Sequence, residues 1–400
     1  MRRVPNAMTG VLMSKARIYL DWNATAPLLD AARVAMVDAL NLAGNPNSVH
    51  AEGRRARQAI EGARRSVAAL AGASSSNLVF TSGATEAANL VLSPDYAMGR
   101  AGLKVGHLYV SAIEHPAVRL GGRFGPDAVT EIPVTAEGIV DLCALARLLE
   151  AHPQDRGMPM VAIMLANNET GVIQPVREAA DLVHAKGGLM VVDAVQAVGR
   201  IPVDIESLAA DFLIVSSHKI GGPKGAGALV SRGEMLMPKP LITGGGQEKG
   251  HRGGTENVAA LVGFGEAARL AADDLLARNA RIASLRDGLE TAMAVAAPDL
   301  VIYGQAAPRL PNTIFFGLPG LKAETGQIAF DLEGLSLSAG SACSSGKVGQ
   351  SHVLTAMGFD PQAGGLRISI GATTSEAEIE RAAAIFATVA KRRRLKVEAA

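Results

Sequence analysis

The stretch Phe212-Leu213-Ile214-Val215-Ser216-Ser217-His218-Lys219-Ile220-Gly221-Gly222 decides the fold. Its first four residues are apolar and partly β-branched, as in a strand buried on both faces. Polar residues and then glycine follow. Residues 161–165 and 189–192 have the same apolar character, and Leu78-Val79-Phe80 and Leu108-Tyr109-Val110 are shorter versions. Helical periodicity fills the intervals, as over residues 54–71. Buried strands interleaved with helices predict an α/β fold with a mostly parallel sheet covered by helices. A long helical stretch, 266–294, leads out of this unit. Strands over 313–316, 335–338 and 366–370 and a closing helix over 375–393 predict a smaller α+β domain. The expected division is 28–275 for the large domain, with 1–27 and 276–400 in the small one.

The composition suits a folded protein and narrows its partners. Of 400 residues, 48% are hydrophobic and 19% charged, which excludes wholesale disorder. A net charge of +1 gives no large field of one sign for nucleic acid or a membrane surface. No apolar run reaches the ~18 residues that span a bilayer. Two cysteines, Cys143 and Cys343, make no disulfide framework and fit a reducing cytoplasm. Cys143 sits in a helical pattern and reads as structural. Lys391-Arg392-Arg393-Arg394 reads as a solvated helix end. Met1 to Met8 lacks a sustained apolar core and is a poor signal peptide, either a loose extension or a misplaced start. The histidines are scattered without metal-ligand spacing, so no resident metal is expected.

In an open α/β sheet, ligands bind beyond the carboxyl ends of the strands. Those ends are where the polar residues of this chain gather. They include Thr81-Ser82-Gly83-Ala84-Thr85-Glu86, Glu114-His115, Asn167-Asn168-Glu169, Asp193 with Gln196, and Ser216-Ser217-His218-Lys219. The Gly83 turn entering a helix suits a phosphate. Asp193, ending a buried strand, suits a pyridinium nitrogen. Taken singly, an ordinary cap for the first and a capping or metal-binding role for the second are the plainer readings. Lys219, just past a strand, is placed for desolvation and Schiff-base formation. Its competitor Lys224 follows Pro223 in what should be an exposed turn. Cys343 lies in Ser341-Ala342-Cys343-Ser344-Ser345-Gly346-Lys347, where small residues leave the thiol uncovered and Lys347 favours a thiolate.

The ordered set resembles the NifS/IscS-type cysteine desulfurases, in the class V aminotransferase group of fold-type I pyridoxal-phosphate (PLP) enzymes. The resemblance runs from about residue 18 to 374 and adds four segments. These are Tyr19-Leu20-Asp21-Trp22-Asn23-Ala24-Thr25, Asn45-Pro46-Asn47-Ser48, Gly244-Gly245-Gly246-Gln247-Glu248 and Arg252-Gly253-Gly254-Thr255. It implies that Lys219 holds PLP, His115 stacks on the ring and moves protons, Asp193 pairs with the ring nitrogen and Gln196 meets the ring oxygen. Ala84, Thr85, Ser216 and His218 would hold the phosphate, with Thr255 arriving from a second subunit of a homodimer. Asn168 and Arg367 would bind the substrate carboxylate. Cys343 would take sulfur from L-cysteine as a persulfide, leaving L-alanine. It would pass that sulfur to an acceptor such as an iron–sulfur scaffold, with at most a passing contact to a nascent iron–sulfur cluster. A selenocysteine lyase or another class V aminotransferase is the alternative.

Overall fold

The computed structural model describes residues 17–340, 350–360 and 364–398. Its main sheet has nine strands. Four of them, Ala101–Ser111, Met158–Met164, Leu189–Asp193 and Phe212–Ser216, run parallel in that order through the centre. Gly227–Ser231 follows antiparallel beside Phe212–Ser216, and Leu78–Thr81 lies antiparallel beyond it. Asp95–Met98 and Leu236–Pro238 extend the other margin, also antiparallel, while Val129–Ile132 joins Ala101–Ser111 in parallel. Apolar clusters cover the two faces, one around Val161, Val192, Leu213 and Phe264, the other around Leu108, Met160, Val191 and Phe212.

Gly227–Ser231 was not expected as a strand, because it begins inside a glycine-rich run. Gly227 is there for packing: a Cβ at this residue would stand 2.6 Å from Gly83 C and 2.9 Å from Ala84 N. The strand therefore presses its backbone against the turn that opens helix Ala84–Val91.

The predicted helix over 266–294 is two helices, Val258–Ala272 and Leu275–Ala296. Asp274 separates them in the left-handed region at φ 49°, a conformation short polar side chains tolerate. The predicted strand over 335–338 is likewise two pieces. Leu335–Ser336 pairs in parallel with Ile18–Tyr19, and Ser338–Ala339 pairs with Leu366–Ser369. Thr313–Gly317 lies antiparallel to Leu366–Ser369 on its other side. A separate apolar cluster of Ile18, Leu20, Leu285, Phe316, Ile368 and Phe386 holds this part together.

Two readings of the surface change. Cys143 lies in helix Leu142–Glu150 but on its exposed face, so it is not a core residue. The basic run is not wholly solvated: Arg393 is buried and donates to Pro319 O at 3.0 Å and Asp299 Oδ2 at 2.6 Å. Arg393 thus ties the last helix to the small sheet's neighbours through a paired charge.

Candidate active site

A cavity of about 510 Å³ opens where the central strands end. Ala84, Thr85, His115, Asn168, Asp193, Gln196, Ser216, His218 and Lys219 all line it. Chain segments far apart in sequence converge there because each follows a neighbouring buried strand.

Lys219 sits on a short 3₁₀ turn, Ser217–Lys219, directly after strand Phe212–Ser216. Its Nζ donates to Asn23 O at 2.6 Å and Ala24 O at 2.9 Å. The Tyr19–Thr25 segment therefore aims the lysine. Lys224 also borders the cavity but is exposed. Arg200 braces the same region from below, donating to Gln196 O at 2.7 Å and Lys219 O at 3.3 Å. Burial, with a smaller push from Arg367, lowers its guanidinium to about 9.

Asp193 ends strand Leu189–Asp193, and its Oδ1 accepts the Val195 N–H at 2.9 Å. Burial pushes its carboxyl up to about 6, against the opposing pulls of that N–H and Lys219. It is therefore mostly ionised at neutral pH. His115 caps helix Pro116–Arg119, and its Nδ1 accepts the Ala117 N–H at 3.2 Å. Burial, then Lys219 and His352, push it down to about 4. The ring is neutral, and because Nδ1 accepts, its proton is on Nε2. His218 is pushed down to about 4 by burial and by Lys219, and its Nδ1 lies 3.1 Å from Thr25 Oγ1.

Helix Ala84–Val91 begins at Gly83 with no side-chain cap, which leaves its first N–H groups for a ligand. Glu86 accepts from Ser82 N at 2.9 Å and Arg252 Nε at 3.0 Å, binding the Arg252–Thr255 segment to this turn. Thr255 itself lines an adjoining cavity that shares Ser82 and Gly225 with the first. It does not line the cavity of its own chain's Lys219.

Two expected residues are already engaged. Gln196 donates to Asn23 O at 3.1 Å and accepts from Arg200. Arg367 is 1% exposed; it donates to Asn168 O at 2.7 Å and Asp21 Oδ1 at 2.8 Å. It does not line the cavity, although Asn168 in front of it does. Cys343 lies outside the described residues.

Pyridoxal phosphate fits these residues. An ionised, buried Asp193 suits a protonated ring nitrogen, an uncapped helix start suits the phosphate, and Lys219 suits the aldehyde. The buried Asn168 Oδ1 has no hydrogen-bond partner in the protein, so a ligand donor would complete it.

Two buried acids carried no role in the sequence reading, although both stand in quoted motifs. Glu114 adjoins His115 and is wholly buried. Glu169 Oε2 accepts the Ser351 hydroxyl at 2.6 Å, and a Cβ at Gly340 would meet that oxygen at 2.5 Å. Their signal was an acid just beyond an apolar run. Burial pushes Glu169 from 4.5 up to about 7, despite Ser351 and Arg367. A raised folded pKa gives stability that is full below the unfolded value and lost as pH rises through the folded one. Glu169→Gln keeps an acceptor for Ser351 and removes the titration. Thermal unfolding should show the variant more stable than wild type at pH 8, by up to about 3 kcal/mol, with no such gain at pH 4.5. An equal offset at both pH values contradicts this.

Comparison with known proteins agrees with this geometry. The aminotransferase class-V family model matches residues 18–382. A cysteine desulfurase of a Nostoc strain is 38% identical, over 94% of this chain and 94% of its own. An IscS-like cysteine desulfurase of Mycobacterium tuberculosis is 37% identical over 96% and 98%. The NifS-like protein from Rickettsia africae superposes with a TM-score of 0.82 at 33% identity, covering 93% of this chain and 99% of its own. With the fold, the strand-end cavity and these relatives in agreement, the chain belongs to the aminotransferase class-V family.

Proposed function

We infer that the protein is a PLP-dependent cysteine desulfurase. The observation that carries this reading is the convergence of Lys219, Asp193 and His115 from three separate strand ends on one cavity. Bound there, PLP supplies an electron sink for the bonds around the substrate's Cα. The chain's residues supply position and proton movement.

Asp193 presents a buried negative charge to the ring nitrogen. Neutral His115, which lines the cavity, would face the ring and offer Nε2–H. Lys219, aimed by the Asn23 and Ala24 carbonyls, would hold the cofactor and, when free, take the Cα proton of L-cysteine. Asn168 and Arg367 bind the substrate carboxylate, which requires Arg367 to exchange its Asp21 contact for the substrate. The Cys343 thiolate then attacks the substrate sulfur. The Cβ–S bond breaks, an S–S bond forms on Cys343, and hydrogen replaces sulfur on Cβ to give L-alanine.

A homodimer accompanies this reading, with Thr255 reaching the partner's phosphate. Its support is that Thr255 stands one cavity away from its own Lys219, while Val34, Val37 and Leu40 of helix Asp30–Leu40 are exposed and apolar. The separate apolar cluster around Phe316 and Phe386 supports the division at residue 275. Sulfur passes onward to an acceptor protein, in the cytoplasm, for iron–sulfur cluster assembly. No described helix is long and apolar enough to cross a membrane.

Serine at position 343 tests the sulfur step. Cys343→Ser should still bind PLP and still change its absorbance on addition of L-cysteine. Sulfide release should fall to the uncatalysed background. Sulfide release at the wild-type rate would assign the sulfur to another acceptor and sink the reading.

A further inference from the structure

Arg367 is a buried cation whose counter-ion comes from the far end of the chain. It stands on strand Leu366–Ser369, and its side chain is 1% exposed. Nη2 donates to Asp21 Oδ1 at 2.8 Å and Nη1 to Asn168 O at 2.7 Å. Nε is buried with no hydrogen-bond partner in the protein, and so is the nearby Asn168 Oδ1. Asn168 lines the cavity, whereas Arg367 and Asp21 do not. The guanidinium therefore lies one residue behind the cavity wall, paired with Asp21 and with one donor to spare.

Asp21 is also tied to the segment that aims Lys219. A bridge between Asp21 and Ser369 lays the Tyr19–Thr25 segment along the strand that carries Arg367. Two and three residues beyond Asp21, the Asn23 and Ala24 carbonyls accept from Lys219 Nζ. The contact is thus between the segment that holds the lysine and the arginine assigned to the substrate.

A guanidinium left bare in a dry site is costly, so a carboxylate-binding arginine needs an anion while the site is empty. Asp21 supplies one of the same chemistry as the ligand. A free carboxylate and the Asp21 carboxylate then compete for one planar fork. We propose that Asp21 is an internal stand-in for the substrate carboxylate, holding Arg367 until an α-carboxylate takes its place. It is a specificity-determining residue: a ligand without a carboxylate has nothing to put in its place. If Asp21 holds Arg367 for about nine-tenths of the time, the apparent affinity for a carboxylate falls about tenfold. The proposal rests on the reading of the cavity as an amino-acid site.

The test uses the PLP-loaded protein. Asp21→Asn keeps the shape and an acceptor for Arg367 but removes the competing charge. Its KM for L-cysteine should fall by about tenfold. A KM that stays level or rises overturns the proposal, because a merely structural role gives no gain in affinity. Melting temperature supplies a readout apart from turnover. The variant should melt below wild type, and propionate, a carboxylate without an amine, should raise its melting temperature more than that of wild type. Uncharged 1-propanol should stabilise neither. Equal propionate shifts in the two proteins, or none in either, overturn the proposal. Should Asp21→Asn not fold, wild type decides through Trp22, the chain's single tryptophan and the neighbour of Asp21. Its fluorescence should change with propionate as Asp21 is released, and the change should be absent in Arg367→Ala. No change, or the same change in Arg367→Ala, overturns the proposal. A variant with the larger propionate shift in a protein that releases no sulfide from L-cysteine would defeat the functional reading and leave the role of Asp21 standing.

Discussion

Lys219→Ala is expected to lose turnover of L-cysteine by at least about 10⁴-fold, the upper range for removing a positioned acid–base group. The loss should be larger than for any other lysine, because this side chain has two duties. It is the only described lysine whose Nζ meets the Asn23 and Ala24 carbonyls, inside the cavity that Asp193 and His115 also line. On the proposed role, PLP would then have no covalent anchor and should be lost on dialysis, taking the yellow colour with it. Lys224→Ala is the matched control. Lys224 borders the same cavity but is exposed, so its loss should leave bound PLP in place. Colour and turnover that survive Lys219→Ala but fail in Lys224→Ala would exchange the two assignments.

Asp193→Asn should lower kcat by about 10²- to 10³-fold, the scale found for losing one preorganised electrostatic contact. Asparagine keeps the shape and an acceptor for Val195 N–H, so the fold should survive. On the proposed role, what it removes is the charge that would hold the ring nitrogen protonated. The pH dependence separates charge from shape. Asp193 is pushed up to about 6 and is needed ionised, so wild-type affinity for PLP should fall as pH drops through that value. In Asp193→Asn the affinity should be weak and flat over the same range. A variant that keeps the wild-type acid limb would place the titration elsewhere.

Lys219, Asp193 and His115 were legible in the sequence for one physical reason. Each stands at or shortly past the end of a buried strand, and in a parallel sheet such ends gather on one edge. The engagement of Arg367 was not legible. Its guanidinium meets Asp21 across 346 residues, and only the packing of the small sheet beside the Tyr19–Thr25 segment brings them together. The buried acids were hidden for a related reason. Glu114 and Glu169 owe their raised carboxyls to enclosure by other elements, which local pattern does not report. Strand Gly227–Ser231 was missed because its glycine serves a close approach to Gly83 and Ala84. The break at Asp274 was missed because apolar periodicity continues across it while the backbone does not. Cys143 shows the same limit: a helical pattern locates the helix, but one residue's face depends on what packs there.

The most direct measurement incubates the PLP-loaded protein with L-cysteine and a thiol reductant, and follows alanine and sulfide together. If sulfur leaves L-cysteine through Cys343 and the reductant then releases it, the two products should rise in equal amounts over many turnovers. Sulfide accompanied by pyruvate and ammonia instead of alanine, or alanine without sulfide, would contradict desulfuration at this site.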